Sequence, residues 1–202
     1  MSVSNTMFDT LLCVPGLQVN IVNVHGWSPL HISAMRGDTY KVDKLLKNGG
    51  DVSVLSQRGD PPIFFSLQPY CEDEESSTFV QLYKYIEENM VDGWALLHHK
   101  NRRGESLLDC AVRHQNVIAM NFLMRRDAFD FGKVDDNGRN LLHLSVIHAP
   151  NSEILKLLIE RGLCPNAQDK LGNTPLMYFF KQSRPSPHVL HPPREALPNM
   201  NV

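Results

Sequence analysis

"NGRNLLHLSV" (residues 137–146), followed by "EILKLLIERG" (153–162) and "PNAQDKLGNTPL" (165–176), decides how this chain folds. A turn-forming Asn-Gly leads into an apolar run that holds one histidine. A second apolar run ends on a glycine, and a further glycine restarts the series. Working outward, the same opening recurs at Gly26 "GWSPLH", Gly59 "GDPPIF", Gly104 "GESLLD", Gly138 "GRNLLH" and Gly172 "GNTPLM". The intervals are 33, 45, 34 and 34 residues. A period in this range marks a row of stacked units rather than one closed domain.

Four residues after each glycine sits a large aliphatic: Leu30, Ile63, Leu108, Leu142 and Leu176. Sixteen, nineteen and twenty places on come Val42, Leu45 and Leu46, then Met120, Leu123 and Met124, then Ile154, Leu157 and Leu158. That spacing covers one face of a helix. Each unit therefore reads as a short helix, a turn, a longer helix and a polar connector, with Gly49 and Gly162 placed for left-handed helix caps.

These residues resemble the ankyrin repeat, whose pattern runs G-x-T-P-L-H-x-A. The resemblance covers about residues 5–183. It implies an all-α fold, an ankyrin-repeat solenoid of stacked helix-turn-helix units with hairpin-like connecting turns. The divisions expected are a partial unit over 1–25, repeats over 26–58, 59–103, 104–137 and 138–171, a partial unit over 172–183, and a proline-rich tail over 184–202. In that family the histidine of the T-P-L-H stretch ties its helix to neighbouring turns, a role that falls here to His31 and His143. The other units carry Phe64, Asp109 and Met177 at that position.

The ends and the second unit depart from the pattern. Phe8, Leu11 and Leu12 are expected to form the packing face of the first partial unit. Five prolines from Pro185 to Pro198 rule out a regular final helix. Val189 and Leu190 are the expected cover for Phe179 and Phe180. The 59–103 unit is 12 residues longer than the first, and its extra length is assigned to "QPYCEDEESST" between its helices and to "VDGWALLHHKNRR" after them. The acidic run Glu72 to Glu75 reads as a solvated loop, with Ser76, Ser77 and Thr78 beside it as phosphorylation candidates. Trp94 reads as core for the extended connector, with an exposed binding anchor as the alternative.

Composition closes several function classes. The chain is 42% hydrophobic and 21% charged, with a formal net charge of −2. It has no run near the ~20 apolar residues of a membrane span and no basic, apolar leader. No membrane association is expected, and the expected location is cytoplasmic, with the nucleus as the second. Cys13, Cys71, Cys110 and Cys164 are scattered, and read as free, mostly buried thiols. There is no H-E-x-x-H, G-x-S-x-G or phosphate-binding loop. His98 and His99 are adjacent, and His143 and His148 lie five apart, both poor spacings for shared metal ligation. The sequence predicts no enzyme, no cofactor and no metal.

What remains is a surface for another protein. Residues around each glycine and at the ends of the first helices give the candidates: Trp27, Arg36, Arg58, Arg102, Arg103, Arg113, His114, Arg139 and His148. Arginine meets carboxylates with a planar fork and stacks on aromatics, so an acidic or acidic-aromatic segment is the expected partner. Interleaved Asp60, Glu105, Asp135 and Asp136 break the continuous positive track that nucleic acid needs. A monomer is expected, acting as an adaptor or inhibitor. The resemblance also implies two narrower roles, an NF-κB-inhibitor-like regulator of a transcription factor and a substrate-recognition subunit of a ubiquitin ligase. It further implies asparagine hydroxylation at Asn20 and Asn166, each eight places after a helix leucine.

Overall fold

The computed structural model describes residues 3–68, 77–126, 128–148 and 152–182. They form eleven helices and, among the described residues, no strand: α1 (Val3–Leu12), α2 (Pro29–Met35), α3 (Thr39–Lys47), α4 (Pro62–Phe65), α5 (Thr78–Asn89), α6 (Gly93–Leu97), α7 (Leu107–Arg113), α8 (Val117–Met124), α9 (Leu141–His148), α10 (Ser152–Glu160) and α11 (Pro175–Gln182). The short helices α2, α4, α7, α9 and α11 each follow one of the glycine turns. The neighbours α2 and α4, α7 and α9, and α9 and α11 pack side by side. The longer α3, α5, α8 and α10 form a second layer behind them.

Local chemistry sets where the helices begin. Pro29 occupies the first turn of α2, where its missing N–H is no loss. Ser106 and Asp109 form a reciprocal capping box at the start of α7. The Asn116 side chain accepts the Ala119 N–H at 2.8 Å to open α8.

The core is a continuous seam between the layers. Leu30, Ile63, Leu108 and Leu142 are all buried, as are Val42, Leu45, Leu46, Met120, Leu123, Ile154 and Leu158. Each fully buried leucine contributes about 1.5–3 kcal/mol relative to exposure. The seam is aromatic where α5 meets α8: Tyr83 and Phe122 lie 5.1 Å apart edge to face. Arg126 roofs this pair, 3.8 Å from the Phe122 centroid, and reaches Glu87 at 3.5 Å.

Several expectations need correction. Leu11 is exposed, because α1 turns Phe8 and Leu12 inward instead. Leu176 is 63% exposed, and with the exposed Phe180 it gives α11 an outward apolar flank. The residues expected to cover it, Val189 and Leu190, lie outside the described residues, as do Cys71, the acidic run 72–75 and Ser76. Ser77 and Thr78 are buried at the start of α5, so a phosphate has no room there. The connector after α5 folds into the extra helix α6. Trp94 on it is neither core nor free: it is 48% exposed and stacks on His98 at 5.6 Å, which in turn lies 5.0 Å from Phe129. Of the described cysteines, Cys13 and Cys164 are exposed and only Cys110 is buried. Among the described residues no helix is long and apolar enough to cross a membrane.

Candidate partner-binding groove

The turns that carry the candidate residues are five copies of one device. Three places before each glycine sits a residue whose side-chain oxygen accepts two backbone N–H groups across the turn tip. Asn23 takes His25 and Trp27, Ser56 takes Arg58 and Asp60, and Asn101 takes Arg103 and Glu105. Asp135 takes Asn137 and Arg139, and Asp169 takes Leu171 and Asn173. The tip glycines lie at φ between 73° and 77°, a left-handed backbone that a side chain would strain. Rigid tips hold the flanking side chains in place before any partner arrives.

Adjacent turns are tied by histidine. The Ser28 N–H donates to His31 Nδ1 at 3.0 Å, so Nδ1 is the unprotonated nitrogen. Nε2 therefore carries the proton and donates to the Asp60 carbonyl of the next turn at 3.2 Å. Burial lowers the His31 pKa and keeps this neutral tautomer in place. His143 repeats the arrangement, with its Nε2 3.0 Å from the Asn173 carbonyl. His99 adds a link of its own to the Gly59 carbonyl at 2.7 Å.

Between the first two turns and the helices α2, α4 and α7 opens a groove of about 460 Å³. Its apolar floor is Trp27, Met35, Phe64 and Phe65, with Cys110 at the far wall. Trp27 meets Phe65 edge to face at 5.3 Å, and His31 backs the same ring at 4.9 Å. The polar rim is His25, Gln57, Arg58, Asp60, Arg113 and His114. Burial pushes the Cys110 thiol up to about 12, so it is a neutral packing group and no nucleophile. Burial, seconded by the adjacent Arg113 charge, lowers the His114 pKa.

The groove gathers four of the nine candidates, Trp27, Arg58, Arg113 and His114. Arg36, Arg102 and Arg103 are exposed nearby, and among the described residues neither their guanidinium groups nor that of Arg58 has an ion-pair partner. Two arginines are not available in the way their position suggested. Arg113 is half-buried, 3.3 Å from Glu105, because α7 turns it back against the third turn. Arg139 forks onto Asp135 at 2.7 and 2.8 Å. Burial opposes the Asp135 charge, but hydrogen bonds from Arg139 and Asn137 outweigh it and hold the carboxyl below its ordinary value. His148 is exposed at the end of α9, outside the groove. Asn20 bridges units, donating to the Gly49 carbonyl and accepting the Asp51 N–H at 2.9 Å each. Asn166 is exposed on the connector after α10. Among the described residues no group of three or more His, Cys, Asp or Glu is placed to hold a metal.

A family model for ankyrin repeats in three copies matches residues 108–185, and one for a single ankyrin repeat matches 25–57, together more than half the chain. The chain belongs to the ankyrin-repeat family. Mouse Rabankyrin-5 is 26% identical over 152 residues, which cover 75% of this chain and 12% of that protein. The human SMC5-SMC6 complex localization factor protein 1 is 28% identical over 131 residues, 64% of this chain and 11% of that protein. The chain thus spans only about an eighth of the length of these relatives. The solved structure of the ankyrin repeat protein EF0377 superposes with a TM-score of 0.64 at 22% identity, covering 87% of this chain and 85% of that one. Ankyrin repeats are protein–protein interaction modules. Phe65, central to this ankyrin groove, was missed in the sequence. Its signal was the register itself, since it stands six places after Gly59, the place Cys110 holds after Gly104.

Proposed function

We propose that this ankyrin stack is a non-catalytic adaptor or inhibitor that holds an acidic-aromatic segment of a partner protein in the groove on its concave face. An aromatic or large aliphatic side chain sits on Trp27, Met35 and Phe65, while flanking carboxylates meet Arg36, Arg58, Arg102 and Arg103. The observation that carries this reading is the apolar floor beside arginines that pair with no acid among the described residues. A preformed groove on rigid turns loses little entropy on binding, which favours recognition of an extended segment. A relative named as a localization factor for a protein complex supports the same general role.

The test is a synthetic peptide array probed with the purified chain, followed by titration of the selected peptides. Peptides pairing Asp or Glu with Trp, Phe or Leu should be selected, and Trp27→Ala should weaken them about 30-fold, the scale of an interface hot spot. Selection of basic peptides, or full affinity in a Trp27→Ala, Arg58→Ala double variant, would refute the reading.

A further inference from the structure

The bonds between neighbouring turns are not evenly distributed. At the first junction the Gln57 N–H donates to the His25 carbonyl at 2.9 Å, and His31 reaches the Asp60 carbonyl. At the second, the Arg102 N–H donates to the Arg58 carbonyl at 2.9 Å, joined by His99 and by Asn101 Nδ2 to Asp60 Oδ1 at 2.8 Å. At the last, the Lys170 N–H donates to the Asn137 carbonyl at 2.9 Å, and His143 reaches the Asn173 carbonyl. Between the third turn (101–105) and the fourth (135–139), the described residues form no hydrogen bond of either kind.

Three features explain and corroborate the break. Asp109 holds the bracing position in the third unit, and a carboxylate cannot give the Arg139 carbonyl, which takes the Asp135 N–H within its own turn, the second donor that His31 gives the Asp60 carbonyl. The tip glycines record the same opening. A Cβ on Gly26 would lie 2.8 Å from Gln57 N, one on Gly59 3.2 Å from Arg102 N, and one on Gly138 3.0 Å from Lys170 N. A Cβ on Gly104 would meet nothing within 4 Å. The space left is a cleft of about 50 Å³ between Gly104, Asp109 and the 133–135 segment, walled by Leu108 and Leu141.

We infer that the stack hinges at this junction: the block α2–α8 with its three linked turns is one body, and α9–α11 with the last two turns is another. The helices α7 and α9 remain packed and act as the pivot. The groove lies wholly on the first body, so flexing at the hinge leaves it intact. What changes is the distance from its rim to Arg139 and His148, giving a recognition surface of adjustable span.

Hydrogen–deuterium exchange on the full chain tests the hinge. In the unaltered protein, α9 should exchange together with α10 and α11, with protection stepping down between α8 and α9. Asp109→His supplies the missing donor while its Nδ1 replaces the Ser106 cap. It should slow exchange across α9–α11 about fivefold, the factor one net hydrogen bond of ordinary strength gives, and leave α2–α4 unchanged. Protection that runs level from α7 through α9 in the unaltered chain would overturn the hinge. So would an Asp109→His variant that protects the whole stack evenly or not at all.

Discussion

The units that begin at Gly26 and Gly104 both tie the N-cap serine N–H of their first helix to the side chain three places on, and then part company. In the first, the Ser28 N–H is held by His31 Nδ1 at 3.0 Å; in the other, the Ser106 N–H is held by Asp109 Oδ2 at 2.8 Å. Imidazole has a second nitrogen on its far side, and that nitrogen grips the next turn. A carboxylate has no such donor. One position therefore performs two separable tasks, starting its own helix and fastening its neighbour, and the third unit keeps the first while dropping the second. A sequence pattern that scores only the cap sees two equivalent units.

The largest effect expected from probing this difference concerns the helices rather than the turns. Ile63 and Leu142 occupy the same position in units with and without a fastened preceding turn, and both are buried. Leu142→Ala should cost about 2–5 kcal/mol in chemical denaturation, since the emptied volume sits in a packed seam. A loss as large as that of Ile63→Ala would show that helix packing alone holds the unfastened junction. A loss under about 1 kcal/mol would show a loose seam there.

Next come the tips. Gly104→Ala should cost about 1–2 kcal/mol, the strain of a left-handed backbone with a side chain. Gly26→Ala carries that strain and also drives a methyl to 2.8 Å from the Gln57 backbone, so its unfolding midpoint should fall further. Equal midpoints for the two variants would mean the third junction is as tight as the first.

The smallest effect is in pH. Burial lowers the His31 pKa below its ordinary 6.5, so at pH values just under 6.5 the unfolded chain binds the proton more readily. Its stabilising contribution is complete above 6.5 and drains away as the pH falls toward the folded pKa. His114 shifts in the same direction and adds to the loss. Thermal melts between pH 7.5 and 5 should show stability falling on acidification, with a flatter profile in His31→Gln. An unchanged slope in that variant would assign the loss elsewhere.

The repeat was plain in the sequence because stacking forces the same apolar positions to recur: Leu30, Ile63, Leu108 and Leu142 are buried for one reason four times. The groove was half legible. Trp27 and Arg58 follow from their place beside a tip glycine, but Phe65 needed the helix register carried through the irregular second unit. Arg113 and Arg139 looked equally free because composition does not reveal acids such as Glu105 and Asp135 brought beside them by a turn. The missing fastening was present as a letter, Asp109, yet only the position of the Arg139 carbonyl gives that letter its meaning. Leu11 and Leu176 followed the periodicity and still faced outward, since a periodic stripe says which residues share a face and not whether anything lies against it.

The uneven burial of the thiols has a practical consequence. Cys110 is sealed and, with its pKa near 12, unreactive, while Cys13 at the end of α1 and Cys164 after α10 stand open on opposite sides of the third junction. With Cys71 replaced, the chain offers Cys13 and Cys164 as exposed maleimide sites, ready for a donor and acceptor dye pair whose energy transfer reports end-to-end extension of single molecules.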